Sequence, residues 1–231
     1  MNGREPGLAR ALALALEAER AFGIDEIPRG PVLAAGSAVP GQPVKTLENI
    51  AARIAECRDC GLCETRTRVV PGQGHERARL MFVGEAPGFE EDRQGLAFVG
   101  LSGQLLTKMI EAIGLSRDEV FIANILKCRP PENREPSAEE SQTCFHYLED
   151  QIDLIQPELI CALGATAANG LLDRSEPMHQ LRGRVFDYRG AKLVPTYHPS
   201  YLLRRPVEKK KAWEDLQRVA ALLGLDLPGH G

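Results

Sequence analysis

Cysteines at close spacing, an asparagine closing an apolar run and a histidine followed by proline are the residues of this chain with chemistry to offer. Cys57, Cys60 and Cys63 form two overlapping C-x-x-C pairs, and Cys128 and Cys144 lie far downstream. A C-x-x-C turn converges two sulfurs on one ion or cluster, and two more thiolates complete a four-sulfur site; spacing alone points first to zinc. Cys161, inside the apolar run ELICALG, reads instead as a small buried core residue. Three further segments stand out. In GEAPGFEED (84–92), Gly84 and Gly88 let backbone approach a ligand closely and acidic residues follow, although a Gly/Pro turn is often only a turn. In ANILKCRPPENR (123–134), Asn124 precedes a loop stiffened by Pro130 and Pro131, which suits a polar recognition group; capping of backbone groups is the plainer alternative. In HPSYLLR (198–204), Pro199 restricts the backbone of His198 and Arg204 adds a cation, while a purely structural histidine is the plainer alternative.

The elements that must position these residues can be read from periodicity. RLMFVG (79–84), EVFIANI (119–125), ELICALG (158–164) and AKLVPTY (191–197) are expected strands. Between them, 102–113 carries apolar residues at helical spacing and ends at Gly114, and 137–155 opens at Ser137 three residues before Glu140, a capping-box pattern. Short apolar strands separated by helices predict an α/β fold with a central parallel four-stranded sheet flanked by helices. Ligands of such sheets sit beyond the carboxyl ends of the strands, which directs attention to 84–98, 124–134, 164–168 and 197–205.

Residues 8–22 read as a helix, and the Pro- and Gly-rich stretch that follows reads as a flexible linker. The expected organisation is a tether over 1–45, a single working domain over 46–224 and a tail over 225–231, without internal repeats. With 231 residues and 43% hydrophobic composition the chain can bury a sizeable core. No run reaches the roughly eighteen apolar residues of a membrane span, and Glu17, Glu19 and Arg20 interrupt the N-terminal Ala/Leu stretch before any signal-peptide cleavage site. A cytoplasmic protein is expected, its cysteines free or bound to metal rather than paired in disulfides. The net charge of −4 gives no global sign of nucleic acid. Between His179 and Trp213, however, Arg182, Arg184, Arg189, Lys192, Arg204, Arg205, Lys209, Lys210 and Lys211 face only Asp187 and Glu208. Such a stretch can hold phosphates, or Lys209 to Lys211 can be the solvated start of a helix.

Taken together the segments resemble the family-4 uracil-DNA glycosylases, the iron–sulfur branch of their superfamily. The resemblance covers roughly 50–222 and runs in order through the C-x-x-C pair, RTRVVPGQG (66–74), GEAPGFEED, Phe98–Val99–Gly100, NILKCRPPENR, LGATAA (163–168) and HPSYLLR. It implies a [4Fe–4S] cluster on Cys57, Cys60, Cys128 and Cys144, with the register set from Arg66 and Cys63 left as a spare thiol. It also implies a monomer that removes uracil from DNA by flipping the nucleotide into a pocket. Phe98 then stacks on uracil and Asn124 reads O4 and N3–H, while Glu91 or the 88–91 turn excludes thymine. His198 and the backbone N–H groups of Glu85 and Ala86 serve uracil O2 as its charge develops. Ala86 stands where family-1 enzymes carry a water-activating Asp, so Glu85 or Glu91 orients the water. Leu202 and Leu203 are the candidate wedges, and Ser200 and Arg204 meet phosphates.

Three rivals remain on the sequence: an iron–sulfur redox module, a superfamily member that binds uracil-DNA without turnover, and a zinc-stapled nucleic-acid-binding domain. The non-turnover members carry a basic, His-containing insertion, whereas CRPPENREPS here runs straight into a helix.

Overall fold

The computed structural model describes residues 46–227, so the expected 8–22 helix, the linker and the last four residues lie outside the described residues. Six strands form one sheet: β1 (Gln73–Gly74), β2 (Leu80–Gly84), β3 (Phe121–Asn124), β4 (Leu159–Leu163), β5 (Phe186–Tyr188) and β6 (Ala191–Thr196). Their spatial order is β1-β3-β2-β4-β6-β5. The middle four are parallel, as expected. The expectation of four strands is incomplete at the edges, where β1 and β5 pair antiparallel and make the sheet mixed. Strands of two and three residues are too short to show a period-2 pattern, which is why these two are invisible in the sequence.

Parallel neighbours need long crossovers, and helices supply them. They are α1 (Leu47–Glu56), α2 (Leu62–Thr65), α3 (Phe89–Gln94), α4 (Leu101–Ala112), α5 (Ala138–Ile155), α6 (Ala165–Leu172), α7 (Met178–Leu181), α8 (Pro199–Arg204) and α9 (Lys209–Leu223). The central strands β2, β3 and β4 are buried on both faces, and alternate residues feed two separate cores. Met81 and Val83 join Ile50, Ile54, Leu148 and Ile152 on one side. Leu80 and Phe82 join Leu106, Ile110, Leu216 and Val219 on the other, where Cys161 is fully buried as expected. The capping box at α5 is present: the Ser137 hydroxyl accepts from Glu140 N–H, and the Glu140 carboxylate accepts from Ser137 N–H at 2.8 Å. Pro195 lies within β6 but beyond the end of β5, so no edge partner needs its missing N–H. Among the described residues no helix is long and apolar enough to cross a membrane.

The sheet order matters for function. From β2 the chain steps to β3 on one side and later to β4 and β6 on the other. Between β2 and β4 the direction of winding reverses, and a crevice opens there at the carboxyl ends of the strands.

Candidate active site

That crevice is a cavity of about 470 Å³, within the usual size of small-ligand pockets. Four strand ends contribute to it: Glu85 to Gly88 after β2, Asn124 at the tip of β3, Leu163 to Ala165 after β4, and His198, Ser200 and Arg204 after β6. Glu91 and Phe98 complete the wall. The sequence candidates Glu85, Ala86, Glu91, Phe98, Asn124, His198, Ser200 and Arg204 thus meet in one place.

Asn124 is the most telling of them. Its side-chain Oδ1 is buried and has no hydrogen-bond partner among the described residues. An unpaired buried amide oxygen costs about 1–3 kcal/mol, and it marks an acceptor held in readiness for a donor. Gly84 pairs in register with Asn124, and Ile125 N–H donates to the Gly84 carbonyl at 3.0 Å. A Cβ on Gly84 would lie 2.4 Å from Asn124 Oδ1 and 2.6 Å from Phe98 Cζ. Gly84 therefore serves the close seating of these two side chains, not a backbone approach to ligand as the motif alone implied. Phe98 itself has φ of +54°, an unusual conformation for a residue with a side chain. Two features hold it there. The Glu91 carboxylate accepts from Val99 N–H at 2.9 Å and Gly100 N–H at 3.0 Å, and Gly103 leaves room for the Phe98 carbonyl.

His198 caps α8. Its Nδ1 accepts from Ser200 N–H at 3.1 Å and lies 2.8 Å from Ser200 Oγ. A backbone N–H can only donate, so the hydrogen bond assigns the tautomer with the proton on Nε2. Nε2–H is then free to donate toward the cavity. Burial, with a smaller effect of the Arg204 cation, pushes the imidazole down to about 4. The ring is thus neutral at physiological pH and still a donor. It lies 5.6 Å from the Phe98 ring, tilted by 36°.

Other candidates change character. Ser200 spends its N–H on His198 and sets its hydroxyl beside the same nitrogen, so it orients the imidazole before it could meet a phosphate. Glu91 also accepts from Gly88 N–H at 3.2 Å, so its carboxylate is occupied by three backbone donors. The Glu85 carboxylate has no side-chain partner among the described residues. Leu202, expected as one of two wedges, is 1% exposed and belongs to the core; only Leu203, at 41%, reaches solvent. The basic stretch is also largely spent. Arg182 binds Asp215 through Nε and Nη2, each at 3.1 Å, and Arg184, Arg189, Lys192 and Lys211 each pair with a carboxylate. Arg204, Arg205, Lys209 and Lys210 form no ion pair among the described residues.

A second cavity, on the other side of the 124–128 segment, is lined by Cys57, Cys60, Cys63, Cys128 and Cys144 with Arg66, Lys127 and Tyr147. Arg66 Nη1 donates to Cys128 Sγ at 3.1 Å, and Lys127 N–H donates to Cys144 Sγ at 3.3 Å. Such donors suit thiolates better than thiols. Burial pushes the thiols of Cys60 and Cys128 up and that of Cys144 up to about 11, so as free thiols they stay protonated at neutral pH. Among the described residues no three His, Cys, Asp or Glu side chains converge closely enough to share one ion. Sulfurs arranged around one cavity, two of them with N–H donors, fit a polynuclear cluster better than a single ion. Sequence reading missed Lys127, whose side chain is 1% exposed in a segment that looks like a loop. Burial pushes its ammonium down to about 8.

The fold and site are those of a defined class. Residues 71–217 match the family model of the Uracil DNA glycosylase superfamily. The Type-4 uracil-DNA glycosylase of Archaeoglobus fulgidus is 39% identical over 193 residues, covering 80% of this chain and 97% of that protein. The Type-4 uracil-DNA glycosylase of Thermotoga maritima is 42% identical over 181 residues, covering 77% and 94%. A Type-5 uracil-DNA glycosylase of Pyrobaculum aerophilum is 34% identical over 152 residues, covering 58% and 67%. The chain belongs to the uracil-DNA glycosylase superfamily, in its type-4 branch.

Proposed function

We propose that this protein excises uracil from DNA by hydrolysing the N-glycosidic bond, leaving an abasic site in base excision repair. The observation that carries the reading is the buried, unpartnered Oδ1 of Asn124 in one cavity with the Phe98 ring and a neutral His198. Uracil enters as a flipped-out nucleotide, because its glycosidic bond is out of reach in the stacked duplex. Its N3–H donates to Asn124 Oδ1, and its O4 accepts from the same amide. Cytosine presents an amine where O4 should be, setting donor against donor, at a cost of about 1–3 kcal/mol for each buried group left unpaired. Phe98 stacks on the base, and the Glu91-held turn blocks a C5 methyl. As the bond breaks, charge builds on uracil O2, and His198 Nε2–H stabilises it as a fixed neutral donor, supported by the N–H groups of Glu85 and Ala86. Because the Glu91 carboxylate is occupied, Glu85 is the carboxylate that orients the attacking water. Leu203 fills the vacated stack and Arg204 meets phosphate.

The thiols of Cys57, Cys60, Cys128 and Cys144 suit a [4Fe–4S] cluster, with Cys63 spare. Bound there, it supplies a cross-link between the 57–60 turn, the 126–128 segment and α5, and takes no part in excision. The test is uracil release from single- and double-stranded oligonucleotides. Free uracil with the backbone intact until alkali is added is the expected result. Uracil-DNA held without release, or no action on uracil at all, would overturn the reading.

A further inference from the structure

The most unusual buried group outside the reaction pocket is the ammonium of Lys127. Its Nζ donates to the Asn124 carbonyl at 2.8 Å and to Gln151 Oε1 at 2.8 Å. Gln151, itself 2% exposed, donates onward from Nε2 to the Pro71 carbonyl at 2.6 Å. The backbone of Lys127 is pinned as well: Val70 N–H donates to its carbonyl at 2.8 Å. A charged donor hidden from water is costly unless it is engaged, and both of its acceptors here are fixed by the fold. One of them is the backbone of the residue whose side chain stands unpaired in the uracil pocket.

We propose that Lys127 is a positioning residue for Asn124, fixing the backbone from which the amide reads the base. The inference rests on the assignment of Asn124 as the reading group. β3 ends at Asn124, and the peptide that follows is held on its N–H side by the Gly84 carbonyl of β2, while its carbonyl side accepts from Lys127 Nζ at 2.8 Å. Lys127, itself anchored by Gln151, fixes the second side of that peptide, and the Asn124 side chain inherits the constraint. The amide of Asn124 has to present its acceptor to N3–H and its donor to O4 at once, so a rotation of the backbone at 124 degrades both contacts together.

A double-mutant cycle on the cluster-loaded protein tests this, with single-turnover excision, uracil-over-cytosine selectivity and visible absorbance as readouts. Lys127→Met is expected to slow uracil excision on the order of tenfold to a hundredfold, the scale of losing charged hydrogen bonds, and to lower selectivity with the absorbance retained. In an Asn124→Ala background it should cost almost nothing more. Gln151→Met, which leaves the lysine in place with one acceptor fewer, should show a smaller loss with the same non-additivity, and it serves if Lys127→Met fails to fold. Full additivity in both cycles overturns the proposal. So does loss of absorbance in step with activity, since the lysine would then act through the cysteines. Wild-type excision by Asn124→Ala alone would instead sink the assignment of Asn124, a different failure.

Discussion

His198 shows how local structure can equip a single residue for a role, here a proposed one, that its type does not guarantee. Its proton is fixed on Nε2 by the Ser200 N–H, and burial holds the ring neutral. His198→Ala is expected to reduce the single-turnover rate by about 10²–10³ while uracil-DNA binding changes little, as for loss of one preorganised donor. Equal losses of rate, binding and stability would mark a structural histidine. The depressed pKa also has a sign that can be checked. The unfolded chain takes up this proton near 6.5 and the folded chain only near 4, so the group favours the folded state above 6.5, and that contribution is lost as pH falls from 6.5 to 4. Over that window the melting temperature of His198→Gln should fall less steeply than that of the wild type. The excision rate should show no acidic limb from His198 at pH 6 to 7. Residue identities at the strand ends were legible in advance because Gly, Pro and apolar runs frame them. What was not legible was contact: that Gly84 leaves space for two side chains, that Glu91 is held by backbone donors, and that Lys127 is buried.

At the scale of elements, α8 carries the sharpest division of labour. Leu202 and Leu203 are adjacent and chemically identical, so nothing in HPSYLLR says which one faces inward. The packing of α8 on α4 decides it: Leu202 enters the core and Leu203 stays outside. Leu202→Ala should therefore cost about 2–5 kcal/mol of stability, the range for a buried leucine, measured by denaturant unfolding. Leu203→Ala should leave stability within about 0.5 kcal/mol yet slow excision from duplex more than from single strands. Equal slowing on both substrates would remove it as a wedge. The cysteine cavity joins α1, α2, α5 and the 126–128 segment, and its ligand set can be sorted the same way. Cys60→Ser should bleach the visible absorbance of the purified protein and Cys63→Ser should not; bleaching by Cys63→Ser with colour retained in Cys57→Ser would shift the register by three residues. The four central strands and α5 were legible because long apolar runs and a capping box announce themselves. The edge strands and the inward face of a six-residue helix are set by tertiary neighbours, which a single sequence does not display.

For the whole molecule, a net charge of −4 hides a division between paired and free cations. Five of the nine basic residues between His179 and Trp213 are committed to ion pairs within the fold, and four are available to a polyanion. Excision at subsaturating DNA should weaken as salt rises. Replacing Arg204, Arg205, Lys209 and Lys210 together by Gln should lower the slope of log affinity against log salt by up to about 4 if each meets a phosphate. Replacing Arg184, Arg189 and Lys192 should leave it nearly unchanged. An equal fall in both sets would mean the internal ion pairs open on DNA. The strand order carries one more consequence, in the timing of synthesis. Phe98 and Asn124 lie on the β2–β3 side of the crevice, whereas His198 follows β6, placed beyond β4 on the other side. A growing chain therefore completes the wall proposed to hold the base some 70 residues before His198, the residue proposed to stabilise the leaving uracil. Since β6 must first dock along β4, a ribosome-bound or truncated chain lacking it has an incomplete pocket, and the proposed base excision is expected only once the sheet is finished.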